Sequence, residues 1–146
     1  ALTLGTMDGA NMEIAELAGA KNIYTFGKDS ESIIKLYETA GYVSKDYYKK
    51  DKHIKRAVDF ILDSTLVKLG NEERLKRLHD ELLNKDWFMT LIDFDAYVTA
   101  KEQILADYED QDSWNKKVIH NIAKAGFFSS DRTIAQYNTD IWHCED

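Results

Sequence analysis

Apolar and polar positions divide the chain into a short mixed segment and a long run of helical stripes. A short apolar run over residues 1–4 stops at Gly5, and the turn Gly5-Thr6-Met7-Asp8-Gly9 follows it. Ala10, Ile14, Leu17 and Ala18 then recur at helical spacing up to Gly19. Either Asp8 or Asn11 has a side chain suited to capping this helix, and Gly19 suits its end. The β-rich run over residues 22–26 is stopped by Gly27. Strand, helix, strand is the order of a parallel βαβ unit. A second helix is expected between Ser30, its candidate cap, and Gly41, with Ile33, Leu36, Tyr37 and Ala40 on one side.

Beyond Tyr42 the pattern turns helical throughout. Ile54, Ala57, Val58, Ile61 and Leu62 predict one helix over residues 51–64. Asn71 caps the next, with Glu72 and Glu73 in its first turn and Leu75, Leu78 and Leu82 inward. Trp87, Phe88, Leu91 and Ile92 form an apolar knot ahead of a helix carrying Phe94, Tyr97, Val98, Ile104, Leu105 and Tyr108. Asp112 is the candidate cap of a further helix with Trp114, Val118, Ile119 and Ile122 inward and Gly126 as its stop. Ser130 caps the last, which turns Ile134, Tyr137 and Ile141 inward. The fold class is therefore mainly α with an N-terminal βαβ remnant, and the change of style places a division between residues 1–43 and 44–146. Two strands leave an unpaired edge and an uncovered face. Starting inside a βαβ pattern without an initiator Met, the chain reads as the C-terminal part of a larger α/β protein.

Composition supports the helical reading. The 146 residues contain no proline, where average usage predicts about 7, so long helices meet no breaker of that kind. No apolar stretch is long enough to cross a bilayer and the start lacks signal-peptide features, which argues against a membrane role. A lone Cys144 fits a reducing, cytoplasmic setting. The net charge of -7 argues against nucleic acid as a general partner. Within that total, Lys45, Lys49, Lys50, Lys52, Lys55 and Arg56 outweigh Asp46 and Asp51 in one stretch, which reads as an anion patch or as a solvated helix face. Residues 86–112 reverse the balance, with eight acids against Lys101.

Few residues invite a chemical role. The turn Gly5-Thr6-Met7-Asp8-Gly9-Ala10-Asn11 leads a strand through glycines into a helix N-terminus, where free N–H groups favour an anion. It matches neither the P-loop nor the dinucleotide fingerprint, and a plain tight turn explains its glycines as well. Glu13 and Glu16 share an outer face and read as acids answering the helix dipole. His53, His79, His120 and His143 fall on separate predicted helices without metal-ligand spacing, so no metal is expected. His143 beside Cys144, and Ser129-Ser130-Asp131, read as an incidental pair and an ordinary helix start.

Four ordered blocks carry a family resemblance across the whole chain. They are residues 1–13 (ALTLGTMDGANME), Ile23-Tyr24-Thr25-Phe26-Gly27, Trp114-Asn115-Lys116-Lys117-Val118-Ile119-His120-Asn121-Ile122-Ala123, and Phe128-Ser129-Ser130-Asp131-Arg132-Thr133-Ile134. Together they closely resemble the α-glucan phosphorylases acting on glycogen, starch or maltodextrin. The resemblance implies two Rossmann-like domains in a GT-B arrangement, with this chain as the end of the second. It implies pyridoxal phosphate as cofactor of the intact enzyme, bound to a lysine upstream of Ala1, and no cofactor in this chain alone. Partners implied are the remainder of the chain, an α-1,4-glucan and phosphate, with a homodimer when intact. No catalytic residue falls within the chain on this reading. Gly5, Thr6, Asp8 and Asn11 are candidates for the wall of the coenzyme site, because they follow the cofactor segment. The alternative is a self-contained helical interaction module.

Overall fold

In the computed structural model, which describes residues 2–144, the start of the chain forms a minimal parallel β unit. Strand β1 (Leu4–Thr6) lies beside β2 (Tyr24–Phe26), pairing Leu4 with Tyr24, Gly5 with Thr25 and Thr6 with Phe26. Gly5 and Thr6 therefore belong to the strand, and the turn starts later than the glycine pattern implies. Helix α1 (Gly9–Ala18) makes the crossover and ends at Gly19, whose φ of +87° favours a residue without Cβ. A 3-10 turn (Ala20–Asn22) returns the chain, and the Asn22 amide donates to the Ala18 carbonyl at 2.6 Å, satisfying an orphan acceptor of the last helical turn.

The remaining elements are helical. They are α2 (Ser30–Glu38), α3 (Ser44–Lys50), α4 (Lys52–Phe60), α5 (Ser64–Leu69), α6 (Glu72–Asn84), a 3-10 turn (Thr90–Asp93), α7 (Phe94–Glu109) and α8 (Gln111–Ala125). After a second 3-10 turn (Gly126–Phe128), α9 (Ser130–Tyr137) runs into a π-helical turn (Asn138–Trp142). The helix expected over residues 51–64 is α4, which ends four residues earlier, at Phe60. Asp63 accepts the Thr65 N–H at 2.8 Å, so its carboxylate starts α5 instead of extending α4.

Asn71 caps α6 as its sequence context predicts, accepting the Arg74 N–H at 3.0 Å. Three other expected caps lie one or two residues too late. Asp29 rather than Ser30 caps α2, Asp110 rather than Asp112 caps α8, and Ser129 rather than Ser130 caps α9. In each case the capping oxygen must sit before the first helical residue to reach an N–H further along.

One core forms where α3, α4, α6 and the 3-10 turn before α7 converge. Ile54, Val58 and Leu91 are buried there, with Tyr47, Tyr48, Leu83 and Phe94 packed against them. The β unit rests on α7 and α8 instead, through the edge contact of Phe26 with Tyr97 at 5.3 Å and the stacking of Tyr24 on Trp114 at 6.4 Å.

Surface area separates this chain from a self-contained module. Its accessible surface is 10788 Å², whereas a folded monomer of 16.8 kDa has about 7,700 Å². Much of the excess is apolar stripe that the spacing assigned inward. Leu78, Ile119, Ile122, Ile134, Tyr137 and Ile141 are each at least 46% exposed. The expected knot also opens, since Leu91 is buried while Trp87 and Phe88 are 67% and 90% exposed. A helical module folding by itself would cover such stripes, so the alternative reading finds no support here. Among the described residues no helix is long and apolar enough to cross a membrane.

Candidate functional site

Ligands of parallel α/β sheets gather beyond the carboxyl ends of the strands, which here means the turn after β1 and the loop after β2. Gly5, at the centre of β1, lies flush on Asn11, and a Cβ would come within 2.5 Å of the Asn11 side chain. Contact this close lets the Asn11 amide donate to the Thr6 carbonyl at 3.0 Å. Thr6 in turn donates from its hydroxyl to Asp8 Oδ1 at 2.9 Å. Asp8 occupies the N-cap position of α1 with extended backbone, but its carboxylate makes no cap hydrogen bond. Neither Asp8 nor Asn11 caps the helix by its side chain, contrary to the sequence expectation, because both are engaged across the turn.

The structure thus brings Gly5, Thr6, Asp8 and Asn11 together as one braced turn. Glu13 and Glu16 are exposed on α1 as their spacing implies, but they lie beyond its first turn, so the helix dipole does not account for them. His79 contacts Asp80 at 3.3 Å and comes within 4.0 Å of Asp59. His53, His120, His143 and Cys144 are exposed, and Ser129 and Asp131 serve α9 as cap and first-turn acid.

Sequence reasoning passed over two acids of the 86–112 stretch that the fold places at the β unit. Asp93 reaches the loop after β2, accepting the Lys28 N–H at 3.0 Å. Burial pushes its carboxyl above the usual range and the Asp8 charge adds to this, while the Lys28 N–H and ammonium oppose it. Asp107 on α7 accepts the Tyr24 hydroxyl at 2.6 Å and the Lys117 ammonium at 2.6 Å, and Lys117 also reaches the Tyr24 oxygen at 2.9 Å. These bonds, led by that from Lys117, hold the Asp107 carboxyl down at about 2. Asn121 completes the seam by donating to the Asn22 carbonyl at 2.7 Å.

The basic stretch is a solvated face of α3 and α4. Lys45, Lys49, Lys50, Lys52, Lys55 and Arg56 are all exposed. Lys55 is held at 2.8 Å by Asp59 and lies over the Tyr48 ring, 4.4 Å from its centre.

Comparison with known proteins bears on what this scaffold serves. The carbohydrate phosphorylase family model matches residues 1–144. A maltodextrin phosphorylase of Streptococcus pneumoniae is 64% identical over 143 residues, covering 98% of this chain and 19% of that protein. A glycogen phosphorylase of Bacillus subtilis is 41% identical over 143 residues, covering 97% of this chain and 18% of that protein. The brain form of glycogen phosphorylase from Ovis aries is 43% identical over 145 residues, covering 99% of this chain and 17% of that protein. The chain spans less than a fifth of the length of these relatives.

Proposed function

Because this chain belongs to the carbohydrate phosphorylase family, we propose that it is the C-terminal part of the second Rossmann-like domain of an α-glucan phosphorylase of GT-B architecture. The observation that carries this reading is the family match over residues 1–144, together with relatives named for maltodextrin and glycogen. The intact enzyme uses inorganic phosphate to cleave the ends of α-1,4-glucans. An oxygen of phosphate replaces the glycosidic oxygen at the anomeric carbon, giving glucose 1-phosphate and a glucan shortened by one residue. In this reading the enzyme is a cytoplasmic homodimer, and residues 1–43 and 44–146 are two portions of one domain.

Pyridoxal phosphate, when bound in the intact enzyme, supplies a phosphate group that handles a proton beside the substrate phosphate. The polar side chains of the β1–α1 turn do not form its binding set. The Thr6 hydroxyl and the Asn11 amide are engaged within the turn, and the exposed carboxylate of Asp8 stands at the helix N-terminus where an approaching phosphate would meet like charge. No catalytic step is assigned to them. Gly5, Thr6, Asp8 and Asn11 act as an outer wall, holding the β1–α1 turn in one shape behind the groups that touch the coenzyme. The apolar stripes of α8 and α9 face the remainder of the polypeptide.

The assignment is tested by assaying maltodextrin phosphorolysis with the intact protein and with the 146 residues alone. Glucose 1-phosphate is expected from the intact protein only, with no coenzyme absorbance in the shorter chain. An intact protein without phosphorolysis overturns the functional assignment. Turnover or stoichiometric coenzyme in the 146 residues overturns the placing of the active site outside them.

A further inference from the structure

At the amino ends of the two strands the described residues leave a groove open. It lies between the last turns of α1 and α8, has a volume of about 250 Å³, and has Thr3, Ile14, Leu17, Ile122, Ala125 and Phe128 in its walls. Backbone bonds fix its place in the fold. The Thr3 carbonyl accepts the Tyr24 N–H at 3.0 Å at the start of the strand pair, and Asn121 of α8 donates to the Asn22 carbonyl at 2.7 Å just ahead of β2. Ile14 and Leu17 are half-buried, whereas Ile122 and Phe128 are exposed. An apolar cavity of about 150 Å³ holds a benzene ring, so this groove has room for one or two large apolar side chains.

Connectivity limits what can fill it. A parallel strand receives its chain from a crossover, usually a helix that packs on the sheet and runs antiparallel to the strands. Such a helix ends at the amino side of the strand it feeds, about 2–6 residues of loop away. For β1 that place is Thr3, on the wall of the groove. A helix C-terminus carries partial negative charge. Lys124 stands at the groove to meet it, exposed and without a paired acid among the described residues. Because the chain spans less than a fifth of the length of its relatives, the remainder is long enough to supply the helix.

We propose that the α1–α8 groove is the docking site of the helix that precedes β1 in the intact polypeptide. Apolar side chains from the last turns of that helix enter between Ile14, Leu17, Ile122 and Phe128, and Lys124 faces its terminal carbonyls. The proposal rests on the reading of this chain as the C-terminal part of a phosphorylase domain, and it names the segment that α8 meets. Helix α8 then holds the strand pair through Asn121 and the preceding helix through Ile122, its neighbour in sequence. The two are joined at the end of the sheet away from the β1–α1 turn.

The test uses the intact protein with p-benzoylphenylalanine in place of Lys124, which puts a photo-crosslinker at the groove. Irradiation and peptide mass spectrometry should place the capture within about 15 residues before residue 1, the span of the loop and the last turns of a helix. Capture by a second copy or by a more distant segment overturns the proposal, as does no capture within that span. Hydrogen exchange of the same span should speed at least about tenfold in Ile122→Ala and about two- to fivefold in Lys124→Glu. It should stay at the wild-type rate in Leu78→Ala, whose side chain on α6 lies outside the groove. Wild-type protection in Ile122→Ala overturns the proposal, and so does equal loss in all three variants, which would report a general loosening. An intact wild-type protein without phosphorolysis overturns the enzymatic reading alone, because neither measurement depends on turnover.

Discussion

Replacing Asp107 with asparagine tests how the β unit is fastened to α7 and α8. The carboxylate accepts Tyr24, Lys117 and Gln103, each at 2.6 Å, and the Asp107 and Lys117 side chains are 27% and 23% exposed. Lys117 foremost, then Tyr24 and Gln103, bring the carboxyl from its ordinary 3.8 down to about 2. A fall of that size corresponds to about 2.4 kcal/mol in favour of the ionised form. Solvent screening at a site about a quarter exposed leaves about 1–2 kcal/mol. Because folding lowers the pKa of this carboxyl, the stabilisation is present above pH 4 or so and is lost as the pH falls towards 2. Native-state hydrogen exchange on the intact protein reads the effect locally, at the amides of residues 24–26 and 117–121. At pH 7, Asp107→Asn should speed their exchange about 5–30-fold. Between pH 4 and 2 the wild type should lose protection there while the variant shows no such step. Unchanged protection at pH 7 would refute the argument and reduce the cluster to surface decoration.

Three further outcomes follow from the packing. Gly5→Ala places a Cβ within 2.5 Å of Asn11 and should cost about 1–3 kcal/mol, with partial recovery on adding Asn11→Ala; a urea midpoint equal to wild type counts against the close fit. Tyr42 donates to the buried Asp86, which also accepts the Thr90 and Leu91 N–H groups at 3.0 and 3.1 Å, and burial with that neighbouring carboxylate pushes the phenol far up. Tyr42→Phe should therefore lower stability by about 1–2 kcal/mol, and an unchanged urea midpoint would show the bond to be dispensable. The 146 residues alone should bind a dye for exposed apolar surface and self-associate in sedimentation, given their 10788 Å² of surface; a dye-silent monomer would contradict this.

Local chemistry made much of the fold readable in the sequence. Glycines and β-branched residues marked a parallel βαβ unit, and Asn71 marked a helix start, because these features depend on a few adjacent residues. Caps slipped by a residue or two where neighbouring polar side chains compete, as with Asp29 and Ser30 or Ser129 and Ser130. Ile119 and Ile122 show a different limit, since periodicity reveals which face is apolar and not what covers it. The braced turn over Gly5, Thr6, Asp8 and Asn11 was found as a motif, though its hydrogen bonding was not. Asp93 escaped because its partner Lys28 is 65 residues away, and no local pattern encodes such a meeting.

The seam between the β unit and α8 also has a kinetic meaning. It joins Tyr24 to Asp107 across 83 residues, Tyr24 to Lys117 across 93, and Asn22 to Asn121 across 99. Closing a loop of that length costs about 4 kcal/mol of chain entropy before any of these bonds returns it. Helices α3 to α6 form from neighbours in sequence and are free to assemble early, whereas the two strands must wait for α7 and α8 to arrive. Docking of the β unit is thus the slow, late event in folding, and variants in the seam should retard refolding more than variants in the Ile54–Val58–Leu91 core.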